Sequence, residues 1–256
     1  PRAEAQIPPE EFDRRVDALL AEPTELERAE ALEETVSAGA DPLRAAEALK
    51  LAADQIPNEE PDARDAKRGL LLRTARMYEA GREPAAAEQA YVALLELFPG
   101  DGPALAALET LRRRLGKYDE VVEMLLERSE RAPDRHERAR ALAEIGRLYV
   151  GELKDREQAL VAFTQALCED PADDDHAGQI EKLAGGEEKH WEDILSTCMG
   201  ATMSDSLPQE AKHHLYTRMA DWYLTRVKRP DLALPVYQSI LQAEPSNDAA
   251  LRGLTQ

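Results

Sequence analysis

Residues 142–171 read LAEIGRLYVGELKDREQALVAFTQALCEDP, and a similar stretch, YTRMADWYLTRVKRPDLALPVYQSILQAEP, follows at residues 216–245. When the two stretches are aligned without a gap, seven positions hold the same residue or residues of similar size. They hold Leu142, Gly146, Tyr149, Ala159, Phe163, Ala166 and Pro171, and then Tyr216, Ala220, Tyr223, Ala233, Tyr237, Ile240 and Pro245. Similarity kept in register over this length indicates an array of similar structural units.

Further copies of the pattern occur earlier in the chain. One runs from Leu71 to Pro99, and another, without the tyrosine, ends at Pro57. Helix-forming residues dominate the copies, and runs that alternate apolar with polar residues are missing, so we expect an all-α chain of short antiparallel helices. Small residues such as Ala159 let two helices approach closely, and the closing proline cannot continue a helix.

The columns resemble the tetratricopeptide repeat, a helix-turn-helix unit of 34 residues. The copy that ends at Pro99 has the family's spacing between Tyr78 and Ala87, whereas the copies that end at Pro171 and Pro245 carry one extra residue in the turn. A single unit cannot bury its apolar face alone, so the resemblance implies a right-handed α-solenoid of stacked repeats.

With two weaker segments, 104–133 and 175–205, the resemblance extends over residues 26–256. It implies about six repeats, followed by the start of a further helix. The repeats would close near Pro57, Pro99, Pro133, Pro171, Asp205 and Pro245. Residues 1–25 would form a linker and an N-terminal amphipathic helix, from Glu10 to Ala21.

The composition excludes two classes of partner. The 256 residues contain 32 Lys and Arg against 51 Asp and Glu, a formal net charge of −19, so we expect neither nucleic-acid binding nor attraction to an anionic membrane surface. The sequence has no apolar run long enough to span a membrane, and we expect a cytoplasmic protein. The abundance of Ala, Arg and Glu suggests a GC-rich bacterial source.

Signatures of enzyme chemistry are missing from the sequence. The glycines at Gly100 and Gly102 are followed by Pro103 and do not form a phosphate-binding loop, and there is no nucleophile elbow or zinc-binding helix. The acidic run 173–175 is interpreted as the start of a helix, where carboxylates favour the positive end of the dipole. We therefore expect no catalytic residues, no metal site and no cofactor.

Two pairs of residues give expectations about burial. Cys168 and Cys198 lie in apolar helical stretches, which predicts buried free thiols. Trp222 directly precedes Tyr223, so both cannot face the packed side of one helix. The sequence favours Trp222 as the partly exposed aromatic residue.

The resemblance also implies where a partner would bind, because the first helices of tetratricopeptide repeats line a concave groove. The groove positions hold Arg73, Arg76, Arg140, Arg147, His214 and Arg218. The middle of the chain carries much of the positive charge: residues 64–147 have 16 basic and 15 acidic side chains, so half of all basic residues lie there. Guanidinium groups bind carboxylates through a bidentate fork, which suits acidic peptides.

The alternative is an ordinary charged surface, in which these arginines are solvated or paired with acids such as Glu144. We expect a non-catalytic scaffold or adaptor that binds a protein or peptide partner, an acidic segment being one candidate. Two other functions stay open: a regulatory segment of a larger multidomain protein, and self-assembly through the ends of the repeat array.

Overall fold

A computed structural model describes residues 8–58, 61–243, 245–246 and 248–255. These residues form fourteen α-helices and one short π-helical turn, and they include no β-strand. The all-α class predicted from the sequence is confirmed. The chain divides into two compact units, the first ending at Lys117 and the second beginning at Tyr118.

The first unit holds helices α1 to α6. Their bounds are Pro9–Ala21 (α1), Leu26–Ser37 (α2), Pro42–Gln55 (α3), Pro61–Ala80 (α4), Pro84–Leu97 (α5) and Gly102–Arg114 (α6). Each helix from α2 to α5 packs against the next one, α1 packs against α2 and α3, and α2 also contacts α4. Fully buried leucines such as Leu19, Leu32, Leu49 and Leu70 form the core together with many alanines.

The second unit holds helices α7 to α14. Their bounds are Tyr118–Glu130 (α7), Arg135–Leu148 (α8), Arg156–Glu169 (α9), Asp174–Ala184 (α10), Glu188–Thr202 (α11), Gln209–Thr225 (α12), Pro230–Ala243 (α13) and Asp248–Thr255 (α14). The π-helical turn Tyr149–Leu153 continues α8. Helix α9 packs against α8, α10 and α11, and α12 packs against α11, α13 and α14. Phe163, Trp191 and Trp222 are the largest side chains of the core.

Aspartates begin several of these helices. The side chains of Asp41, Asp101, Asp134, Asp155 and Asp173 each accept a hydrogen bond from a backbone N–H in the first turn of the helix that follows. Such caps satisfy donors that have no partner within the helix. The acidic run at residues 173–175 is therefore a helix start, as the sequence indicated.

The signature tyrosines also close the turn between two paired helices. The carbonyl oxygen of Tyr78 accepts a hydrogen bond from the N–H of Glu83, the fifth residue after it, and the carbonyl of Tyr149 accepts one from Asp155, the sixth. In each turn the preceding residue, Arg82 (φ 60°) or Lys154 (φ 57°), adopts the left-handed conformation. The extra residue noticed in the sequence is thus contained within the π-helical turn after α8.

The small and the aromatic columns are both buried in the packing. Ala87, Ala159 and Ala233 are buried, and so are the aromatic rings of Phe163 and Tyr237. The helix-turn-helix repeats expected from the sequence are therefore present. The closing positions of the six repeats and the handedness of the array stay predictions, and the boundary between the two units falls inside the third predicted repeat.

Candidate binding face

In the second unit, two arginines on first helices pair with the start of helix α10. Arg147 on α8 lies 3.4 Å from Asp175 (Nη2 to Oδ2), and Arg218 on α12 donates a hydrogen bond of 2.8 Å to Oδ1 of Asp174. Asp173, the residue that caps α10, fixes the backbone of this turn. We call the surface formed by Arg147, Asp175, Asp174 and Arg218 the first-helix face.

The carboxylates of the first-helix face are open to solvent, but the side chain of Arg218 is only 21% exposed. The side chains of Arg147 and Asp175 are 57% and 58% exposed, and that of Asp174 is 93% exposed. The hydrogen bond from Arg218, together with its positive charge, lowers the pKa of Asp174. The Arg147–Asp175 pair is exposed on both sides, and such pairs contribute at most about 1 kcal/mol to stability. Separating the exposed Arg147–Asp175 pair therefore costs the fold little.

A second cluster, which includes the buried Trp222, lies further along α10 and α12. Glu181 accepts a hydrogen bond of 2.8 Å from the indole Nε1 of Trp222 and a second one from Arg226. The adjacent Asp221 has a raised pKa because burial and the negative charge of Glu181 both disfavour its ionised form. Glu181 thus links a core side chain to the charged surface.

The prediction that Trp222 is partly exposed is wrong. Its side chain is fully buried, and its ring lies 5.3 Å from that of Trp191, with the two ring planes at 58°. Glu181 supplies an acceptor for the indole N–H, which allows the whole side chain to enter the core. Tyr223 is the neighbour that stays partly accessible.

The other two predicted groove residues of the second unit, Arg140 and His214, take no part in the ion pairs of the first-helix face. Arg140 is 73% exposed and pairs with Glu137, three residues earlier on α8. His214 on α12 is exposed and lies in a shallow depression that is also lined by Arg135, His136 and Asp170.

In the first unit, the two predicted groove arginines differ in their surroundings. Arg73 on α4 is only 18% exposed and pairs with Glu30 and Glu33 on α2. Arg76 is exposed and has no carboxylate partner among the residues that the structure describes. Arg76 is therefore available to an external anion, whereas Arg73 is held between two helices.

The acidic partners are the residues that sequence reasoning missed. The sequence offers Glu144 as a partner of Arg147, but Arg147 pairs with Asp175, and Glu144 accepts a hydrogen bond from Arg128. The only signal for these partners in the sequence is the acidic run at residues 173–175. Two of its aspartates, at the start of α10, pair with arginines on the neighbouring first helices. Within the described ranges, no three His, Cys, Asp or Glu side chains converge as metal ligands.

Comparisons with known proteins find similar solved structures at low sequence identity. No family model and no curated protein matches it. It is similar to the solved structure of Naa15/Naa10 bound to HypK-THB, with 17% identity and a TM-score of 0.48 over 95% of this chain and 35% of that one. It is also similar to the hetero-tetramer Cut9-Hcn1 of the APC/C, with 16% identity and a TM-score of 0.36 over 96% of this chain and 46% of that one.

A third similar structure is a tetratricopeptide repeat protein from Parabacteroides merdae, with 16% identity, a TM-score of 0.41, and coverage of 94% and 98% of the two chains. Tetratricopeptide repeat proteins are therefore among the structures that this chain resembles. The chain spans less than half the length of the first two structures. None of the helices that the structure describes is long and apolar enough to cross a membrane.

Proposed function

We propose that this chain is a non-catalytic interaction scaffold that holds an acidic segment of a partner protein on the first-helix face. The observation that supports this proposal is the exposed ion pair of Arg147 with Asp175 at the start of α10, beside the pair that the less exposed Arg218 forms with the exposed Asp174. They present guanidinium groups at fixed positions above a packed core. The carboxylates that hold them are exposed and can be exchanged.

The chemistry of the partner follows from this exchange. A carboxylate of the partner takes the place of Asp174 or Asp175, and the arginine keeps its charge-assisted hydrogen bonds. Several such replacements along one segment give affinity without burial of a large apolar area, so we expect binding to weaken steeply as the salt concentration rises. In the first unit, Arg76 offers a similar contact without a competing aspartate.

Binding of immobilised peptides tests the proposal. The whole chain is passed over matched acidic, neutral and basic peptides, and retention is measured at low and high salt. We expect retention on acidic peptides, a several-fold loss of affinity for Arg147→Glu, and a smaller loss for Arg76→Glu. Replacing Asp175 with Asn should strengthen binding, because it removes the internal competitor of Arg147.

A charge-matched control variant distinguishes a loss of the first-helix face from a change in the net charge of the protein. Arg131 follows the end of α7, is 63% exposed and pairs with Glu127 of that helix. Arg131→Glu changes the net charge by the same amount as a single groove substitution but leaves the first-helix face intact. Equal losses in Arg131→Glu and Arg147→Glu, or no retention on acidic peptides, would show that the face is not a binding site.

A further inference from the structure

A cavity of about 250 Å³ lies between α9 and α11, two helices that pack together in the second unit. Its lining residues recur every three or four positions, so they share one face of each helix. The apolar part of the wall is formed by the buried Leu160 and Ile194 and by Val161, which is 52% exposed. The cavity therefore combines an apolar floor with an opening to solvent.

Two polar groups of the cavity wall have no hydrogen-bond partner among the residues that the structure describes. Thr164 on α9 is only 3% exposed, and its hydroxyl oxygen is buried and unpaired. On α11, Nδ1 of His190 is also buried and unpaired, and it lies 3.6 Å from Oε2 of Glu187, which is beyond hydrogen-bond distance. A buried polar group without a partner lowers stability, so a ligand that bonds to these groups removes that cost.

The apolar wall and the two polar groups together indicate the chemistry of a ligand. An apolar cavity of about 150 Å³ can hold benzene, so the space between α9 and α11 is sufficient for one aromatic ring. A hydroxyl group on this ring both donates and accepts hydrogen bonds, so it suits the hydroxyl of Thr164 and either tautomer of His190. A phenol ring has both properties, whereas an unsubstituted ring would leave the two polar groups unpaired.

We propose that this cavity binds the phenol ring of a tyrosine in a partner protein. The size of the cavity favours a single side chain, because pockets for whole small molecules have volumes of about 300–1,000 Å³. Its rim favours a peptide, because the exposed side chains of Gln158, Gln165 and Thr197 can hydrogen-bond to the main chain beside the tyrosine. Tyrosine is also enriched at protein interfaces, where its ring is buried and its hydroxyl finds a polar partner.

This site is separate from the first-helix face and does not depend on the proposed function. Helices α9 and α11 contribute none of the residues that define that face. Recognition of a neutral ring requires no carboxylate on the partner. Uncharged probes therefore test the cavity without testing the binding of acidic segments, and either proposal can fail while the other holds.

Three uncharged probes test the chemistry of the site. They are a capped glycine-tyrosine-glycine peptide, the same peptide with phenylalanine, and p-cresol, which is the tyrosine ring without a main chain. Binding to the whole chain is measured by ligand-detected NMR at low and high salt. We expect the tyrosine peptide to bind about tenfold more tightly than the phenylalanine peptide at both salt concentrations, because phenylalanine leaves Thr164 and His190 unpaired.

The other results of this titration would overturn the proposal. Equal affinities of the two peptides, or no binding of the tyrosine peptide, would show that the cavity does not recognise a phenol ring. We expect p-cresol to bind several-fold more weakly than the tyrosine peptide, because it makes no contact with the rim. Equal affinities of p-cresol and the tyrosine peptide would assign the cavity to a free phenol and refute the partner segment.

Replacement of Thr164 with Val tests the role of the hydroxyl. Valine keeps the shape of the side chain, so the phenylalanine peptide should bind as it does to the wild type. The preference for tyrosine should fall several-fold, and the variant should unfold at a higher urea concentration, because it no longer buries an unpaired hydroxyl. An unchanged preference for tyrosine, or a lower stability of Thr164→Val, would contradict this role.

A substitution at the opening tests the location of the site. Val161→Glu places a charge beside the apolar floor and should abolish the binding of both peptides. Leu126→Glu on α7 is the matched control, because Leu126 is 42% exposed and does not line the cavity, so both peptides should still bind. Circular dichroism checks folding, and Val161→Gln replaces Val161→Glu if that variant unfolds. Unchanged binding to the folded Val161 variant would refute the site.

Discussion

Gly146 on α8 faces Phe163 on α9 so closely that a Cβ atom at residue 146 would lie 2.8 Å from carbons of the ring. The ring is almost completely buried and cannot move away. Both residues belong to columns that recur along the sequence, one small and one aromatic. The aromatic side chain occupies the volume that the small residue leaves free, which explains why the two columns occur together.

Replacement of Gly146 with Ala should therefore destabilise the second unit. Alanine is the better helix former, but overpacking against Phe163 should lower the free energy of unfolding by about 1–3 kcal/mol. Gly178 on α10 is the matched control, because no atom lies within 4 Å of a Cβ built there. Gly178→Ala should raise the free energy of unfolding by about 0.5–1 kcal/mol. Urea denaturation measures the free energy of unfolding of the two variants. A higher free energy of unfolding in both would contradict the packing argument.

The sequence could predict which columns are buried, because a repeat shows each position several times, although it did not predict that Phe163 packs against Gly146. The small and aromatic columns at Ala159 and Phe163 recur with fixed spacing, so their roles follow from the pattern. The electrostatic contacts do not recur in this way. Arg73, Arg147 and Arg218 each pair with an acid on a different first helix, at sequence separations that vary from one pair to the next.

The orientation of Trp222 could not be predicted from the sequence, for a physical reason. Hydrophobic spacing shows which residues share a helix face, but it does not show whether a buried polar atom finds a partner. The indole N–H of Trp222 enters the core because Glu181, on a different helix, accepts its hydrogen bond. Only the packing of α10 beside α12 brings these two residues together.

Loss of this acceptor should destabilise the second unit. Glu181→Leu leaves the buried indole N–H of Trp222 without a partner and should lower the free energy of unfolding by about 1–3 kcal/mol. Glu181→Gln keeps a carbonyl oxygen for the indole and removes only the charge that Arg226 contacts, so its loss should be smaller. Chemical unfolding compares the two variants. Equal stability of Glu181→Leu and the wild type would mean that the hydrogen bond contributes nothing.

Glu88 in the first unit should make stability depend on pH. Its carboxylate accepts hydrogen bonds from Lys117 at 2.7 Å and from Arg112 at 3.0 Å, and its side chain is 13% exposed. Burial alone raises the pKa of Glu88, but the two hydrogen bonds and the positive charges outweigh it, so the pKa is lowered. The stabilisation is therefore present above the unfolded pKa of about 4.3 and is lost as the pH falls through the lower folded value.

Comparing the free energies of unfolding of the wild type and Glu88→Gln at two pH values tests whether this stabilisation is lost at low pH. The variant should be less stable than the wild type by about 1–3 kcal/mol at neutral pH, because it loses two charge-assisted hydrogen bonds. The difference should shrink when urea denaturation is repeated below the folded pKa, where the wild-type carboxylate is protonated. A difference that stays constant between these pH values would show that the charge of Glu88 is not the source of the stabilisation.

The left-handed turn residues offer a stabilising substitution. Lys154 has φ 57° and Lys228 has φ 58°, a conformation that costs a residue with a Cβ atom about 1–2 kcal/mol. Glycine removes this cost but gains conformational entropy in the unfolded chain, so Lys154→Gly should raise the free energy of unfolding by about 0.5–1 kcal/mol. Lys50 in α3 is the control, because it is also exposed but helical, and Lys50→Gly should cost about 1 kcal/mol. A loss of stability in Lys154→Gly would mean that the lysine side chain, and not the backbone, determines the turn.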